Sequence, residues 1–175
     1  MTESLPIVYL SVLLIILGGL GIFVFSQVLK ARRLENTFGK LQKKLQNSKG
    51  SAQEYYQLGS IYLDKKLYSQ SINLFQKALK MGEDVEPENQ ALICNAMGYA
   101  CFAQEQFDLA IRHYKDALKL YPDYVIALNN LANVYEKKQM VNKALETYKQ
   151  TLAIEPNNKV AQRRANSLKK RLVET

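Results

Sequence analysis

Hydrophobic and polar positions alternate in two different ways along this chain. From Ile7 to Phe25 there is no charge, and the only polar interruptions are Ser11 and the hydroxyl of Tyr9. As a helix this run would be about 28 Å long, close to the roughly 30 Å hydrocarbon core of a bilayer. Next, Leu34, Phe38, Leu41 and Leu45 fall at i, i+4, i+7 and i+11, one face of a helix, with Lys40, Lys43 and Lys44 around the other side. Two readings of this stretch stay open: an interfacial helix whose bases meet anionic headgroups, or a charged spacer that continues the apolar helix. Gly39 weakens the helix, and Asn47-Ser48-Lys49-Gly50-Ser51 reads as a break. From Ala52 onward the helical period returns in short paired segments.

Those segments repeat. Leu58-Gly59-x-x-Tyr62 with Ser71, Phe75 and Ala78 returns as Met97-Gly98-x-x-Cys101 with Ala110, Tyr114 and Ala117, then as Leu131-Ala132-x-x-Tyr135 with Ala144, Tyr148 and Thr151. The step from Gly59 to Gly98 is 39 residues and that from Gly98 to Ala132 is 34. Small residues at Gly59 and Ser71 let two helices approach, and Tyr62 and Phe75 fill the space beside them. Pro122 and Pro156 are expected to stop one repeat and open the next helix. The first repeat lacks such a proline. Five extra residues follow it, within Gly82–Glu88, and Pro87 is placed to start a helix one turn early.

A helix-turn-helix repeat of about 34 residues with this pattern resembles the tetratricopeptide (TPR) family. The expected fold is all-α: an N-terminal transmembrane helix, then a three-repeat TPR α-solenoid with a C-terminal capping helix. The expected boundaries are an anchor at 1–29, a basic amphipathic connector at 30–50, repeats over 51–156 (about 52–85, 91–124 and 125–158), and a basic capping helix and tail at 157–175. In the last, Val160, Ala165 and Leu168 are expected to pack on the third repeat, because an array needs its ends covered.

Charge sharpens this division. The net charge of +8 is concentrated at the flanks: residues 30–50 hold seven bases against Glu35, and 159–175 hold six against Glu174, while the repeat body carries thirteen acids against eleven bases. Lys30, Arg32 and Arg33 follow the apolar run directly and Glu3 precedes it, so the positive-inside rule puts the repeats in the cytoplasm or its organellar equivalent. A cleavable signal peptide fits poorly, since Met1 to Leu5 has no base and no small-x-small site follows the run. Cys94 and Cys101 are about 10.5 Å apart along one helix, too far for a disulfide, and read as packing residues. His113 has no partner at metal-ligand spacing and reads as a surface residue. No nucleophile motif, nucleotide loop, metal site or cofactor site is legible, and the basic C-terminal helix lacks the aromatic residues of a nucleic-acid surface. The chain reads as a binding protein, not an enzyme.

The TPR resemblance implies a concave groove lined by first-helix residues. The matching positions are Gln53, Tyr56, Ser60 and Leu63; Leu92, Asn95, Tyr99 and Phe102; and Ile126, Asn129, Asn133 and Glu136. Of these, Tyr56, Ser60, Asn95, Tyr99, Phe102, Asn129 and Asn133 form the candidate partner-binding groove, where amides can bond an extended peptide backbone and rings offer apolar contact. The cationic clamp of chaperone-binding TPR proteins is missing, its places held by Tyr56, Ser60, Ala96, Ile126 and Asn130. Anchor, connector and three repeats together resemble the small thylakoid TPR proteins of cyanobacteria and plastids that assist photosystem I assembly. This resemblance implies a single-pass thylakoid protein with its repeats cytoplasmic or stromal, holding photosystem I subunits or intermediates. The rival is an organelle import receptor or another membrane-complex adaptor.

Overall fold

A computed structural model describes residues 5–81 and 85–173, and in them every regular element is an α-helix. The chain divides into two compact units, residues 1–47 and 48–175. The first contains helix α1, Leu5–Asn47, which runs for 43 residues without a break at Gly39. Its large apolar side chains from Tyr9 to Leu29 are exposed. Mean hydropathy over its most apolar window is 2.5, with none of that window buried.

The second unit is a stack of helices: α2 (Ala52–Asp64), α3 (Tyr68–Lys80), α4 (Pro87–Ala103), α5 (Phe107–Leu120), α6 (Val125–Lys137), α7 (Val141–Ile154) and α8 (Lys159–Val173). Each packs on its neighbour in sequence, and α4 also touches α2 and α6, the pattern of an α-solenoid. A capping box opens α2: the Glu54 N–H donates to Ser51 Oγ at 3.3 Å and the Ser51 N–H donates to Glu54 Oε2 at 3.0 Å. Pro87 occupies the first turn of α4, which has 17 residues where α2 and α6 have 13. The additional residues between repeats therefore lengthen the front of α4 by one turn. Pro122 and Pro156 lie in the turns after α5 and α7, and α6 and α8 begin three residues beyond them.

Within each repeat the two helices are joined by the same turn. Lys66, Glu105 and Gln139 adopt φ of 60°, 59° and 58°, each one residue past a helix C-cap. The N–H of Leu67, Gln106 and Met140 then donates back to the carbonyl of Tyr62, Cys101 and Tyr135 at 2.8, 2.9 and 2.8 Å. The left-handed residues donate to Leu63, Phe102 and Glu136, at 2.9 Å each. This pair of hydrogen bonds is a Schellman motif, and it satisfies carbonyls that the helix end would leave open.

Close approach of paired helices depends on small residues. A Cβ on Gly59 would lie 2.7 Å from the Phe75 ring, and one on Gly98 would lie 2.7 Å from the Tyr114 ring. Ser71 Oγ donates to the Gly59 carbonyl at 2.9 Å, tying α3 to α2 at that point. Phe75, Tyr114 and Tyr148 are buried as the large partners. Tyr62, expected alongside them, is only half-buried. A second set of buried positions on the first helices, Ile61, Ala100 and Val134, recurs at the same steps of 39 and 34 residues. At the far end, Ala161, Ala165 and Leu168 of α8 close the core with Tyr135, Leu145 and Tyr148. Val160, expected inside, is exposed, because the helix turns Ala161 inward in its place.

Candidate functional site

The first helices α2, α4 and α6 carry the candidate groove residues, and their environments differ. Tyr56 packs its ring on Phe75, 5.7 Å between centroids. Ser60 Oγ donates to the Tyr56 carbonyl at 2.9 Å, which engages its hydroxyl proton within its own helix. Tyr99 is 48% exposed, and Leu92 and Ile126 are exposed beside the same row. Phe102 is half-buried, its ring against Phe107 at 5.8 Å. Asn95 Oδ1 accepts from Asn130 Nδ2 at 3.0 Å, a side-chain bridge from α4 to α6. Asn129, one position earlier than that partner, turns its Oδ1 into the packing, where it meets no hydrogen-bond donor among the described residues. Asn133 is half-buried.

A cavity of about 460 Å³ opens between α2 and the lengthened start of α4. Gln53, Tyr56 and Leu92 line it together with Val85, Glu86 and Asn89. The last three have no counterpart among the repeat positions because they belong to the five-residue insertion and the turn it adds. The break in repeat spacing was the signal that could have found them. Asn130, named only as a place of the missing clamp, is the amide that reaches Asn95, since repeat position gives no information on which of two adjacent amides reaches across.

Glu136, mapped to the groove, is not free there. Its Oε1 accepts from the Tyr148 hydroxyl at 2.8 Å and from Arg164 Nε at 2.9 Å, and its side chain is only 11% exposed. Burial, followed by the bond to Glu136, pushes the Tyr148 hydroxyl well above the usual tyrosine range, with Arg164 opposing. The carboxylate thus joins α6, α7 and α8. Lys138 makes a second link between repeats through its ion pair with Asp108.

Groups with catalytic potential are placed for packing. Burial, with a smaller contribution from Asp116, pushes the Cys94 thiol up to about 11, and burial raises Cys101 as well. His113 is half-buried, not on the open surface, because α5 turns it partly into the packing. Burial lowers its pKa, while Asp116 opposes and Arg112 adds to the lowering. Among the described residues no cluster of three His, Cys, Asp or Glu side chains could hold a metal ion.

Tetratricopeptide repeat models match residues 52–84 and 125–158, and a TPR repeat model matches 98–139. The ycf37 protein of Guillardia theta is 35% identical over 173 residues, covering 99% of this chain and 97% of that one. The chain belongs to the ycf37 family of TPR proteins. Another relative of this ycf37-family chain is the chloroplastic tetratricopeptide repeat domain-containing protein PYG7 of Arabidopsis thaliana. It is 36% identical over 168 residues, which cover 94% of this chain and 56% of PYG7. More distant is the photosystem I assembly protein Ycf3 of Rippkaea orientalis (strain PCC 8801 / RF-1), 27% identical over 105 residues, or 52% of this chain and 60% of that one. Among solved structures, MamA superposes with a TM-score of 0.72 at 21% identity over 81% of this chain and 80% of its own, a likeness of fold. A TPR array of this kind presents an extended concave surface to protein partners.

Proposed function

We propose that this ycf37-family chain is a membrane-tethered scaffold that assists photosystem I assembly, holding subunits or intermediates on the cytoplasmic or stromal side of the thylakoid membrane. The observation that carries the reading is the composition of α1. It exposes an uninterrupted apolar surface from Tyr9 to Leu29, and the bases Lys30, Arg32 and Arg33 follow at once. Water disfavours such a surface and lipid accepts it, so residues 1–29 serve as the anchor and the following bases keep the repeats on the side of synthesis or delivery. The relationship to Ycf3, whose name states photosystem I assembly, supplies the class of partner.

In this reading residues 30–50 connect, 51–156 bind and 157–175 cap. The groove works through Tyr56, Asn95, Tyr99, Phe102, Asn129 and Asn133, with Ser60 helping to shape its wall. Asn95 is oriented by Asn130 through its Oδ1, and an incoming backbone carbonyl would meet its amide hydrogens. Confinement to one membrane raises the effective concentration of groove and partner, so weak contacts suffice. Affinity purification from photosynthetic membranes tests this. Photosystem I proteins should be recovered, and Asn95→Ala with Asn129→Ala should weaken their recovery at unchanged helical content. Recovery of translocase components without photosystem I proteins would overturn the assignment in favour of an import receptor. Extraction of the chain by alkaline carbonate would overturn the anchor.

A further inference from the structure

Helix α8 carries two parallel stripes. Ala161, Ala165 and Leu168 are buried. Two residues out of step, and so on the opposite side of the helix, Lys159, Arg163, Asn166 and Lys170 fall at i, i+4, i+7 and i+11, all exposed. This outer row is about 16 Å long at the helical rise. The described helix contains six bases and no acid. Arg164 is withdrawn to Glu136, whereas Lys159, Arg163 and Lys170 make no ion pair among the described residues. A cap needs only a polar outer face to keep the array soluble, and mixed charge would serve that purpose. Single-sign charge along one row is a different device.

We propose that the outer face of α8 is a membrane-surface contact, with Lys159, Arg163 and Lys170 binding the headgroups of anionic lipid. The row has no aromatic ring and a single amide, so it offers two ammonium groups and one guanidinium for phosphate without the stacking surface that nucleic-acid recognition uses. Val160 and Val173, both more than half exposed, stand on either flank of the row, where the edge of the apolar layer would receive them. The inference rests on the proposed tether in one respect: confinement to a bilayer makes weak headgroup binding sufficient. Each base near an anionic surface contributes a factor of about five in partition, so three contribute about a hundredfold.

The test uses the full chain in nanodiscs of phosphatidylcholine alone or mixed with phosphatidylglycerol, with a fluorophore on the Asn166→Cys variant. Cys94 and Cys101 are buried and do not compete for the label. Headgroup-quencher lipids should quench the label in the anionic discs and little in the neutral ones. The effect should vanish in about 0.5 M salt, where the Debye length falls to a few ångströms. It should also vanish when Lys159, Arg163 and Lys170 are all changed to Ala, at an unchanged melting temperature. Equal quenching in both lipids, or quenching that survives the triple substitution, overturns the proposal and leaves the row to an acidic protein partner. A chain that stays outside the discs refutes the tether instead, and flotation of that soluble chain with vesicles of the same two compositions then decides the headgroup contact by the same criteria.

Discussion

At the scale of single residues, the narrowest tolerances are at the glycines that face aromatic rings. A Cβ on Gly98 would need the buried Tyr114 ring to move, and little room exists around it. Gly98→Ala is expected to destabilise the repeat unit by about 1–3 kcal/mol in denaturant titrations, despite alanine's higher helix propensity. The same pair was legible in the sequence, because Leu-Gly and Met-Gly recurred at fixed distance from Phe75 and Tyr114. The placement of His113 was not, since a lone histidine on an amphipathic helix has no periodic signal of its own. Its folded pKa lies below the unfolded value of about 6.5, so the unfolded state binds more protons in that window. Its contribution to stability is complete above that value and is lost as pH falls through the lower, folded pKa. The His113→Gln variant should lose less stability than the parent between about pH 7 and 5, as read from paired urea titrations at each pH.

At the scale of elements, the helices follow from the chain, but the turns within repeats do not. The break at Asn47 to Ser51 announces α2, and Pro87 announces α4. Lys66, Glu105 and Gln139 give no such notice, because left-handed turn positions usually advertise themselves as glycine or asparagine. Here the two back-directed bonds and the packing of the flanking helices hold ordinary residues in that conformation. Gln139→Gly should therefore raise the stability of the array by about 0.5–1 kcal/mol, the relief of left-handed strain exceeding the entropy lost by glycine. A lower melting temperature for that variant would contradict this account. Val160 and Ala161 both satisfy an apolar pattern, and only packing in the cluster with Tyr135, Leu145 and Tyr148 decides which faces in.

At the scale of the whole molecule, the repeat unit depends on how its last helix is held. Glu136 receives hydrogen bonds from Tyr148 and Arg164, so one carboxylate links three helices. Glu136→Ala should cost about 1–3 kcal/mol, and amide exchange should accelerate first in α8. Uniform acceleration across α2 to α8 would show a single cooperative unit instead. The groove position of Glu136 was misleading from sequence because the repeat formula describes one unit and cannot include a cap that follows it.

The two buried thiols have a bearing on the chain's chemistry in an oxidising setting. Burial holds the Cys94 thiol up at about 11 and raises Cys101 as well, so both favour the protonated, unreactive form. Peroxide attacks the thiolate, and a seven-residue helical separation denies either sulfur a resolving partner within the fold. Burial and helical spacing thus disfavour oxidation of either thiol while the repeat unit remains folded.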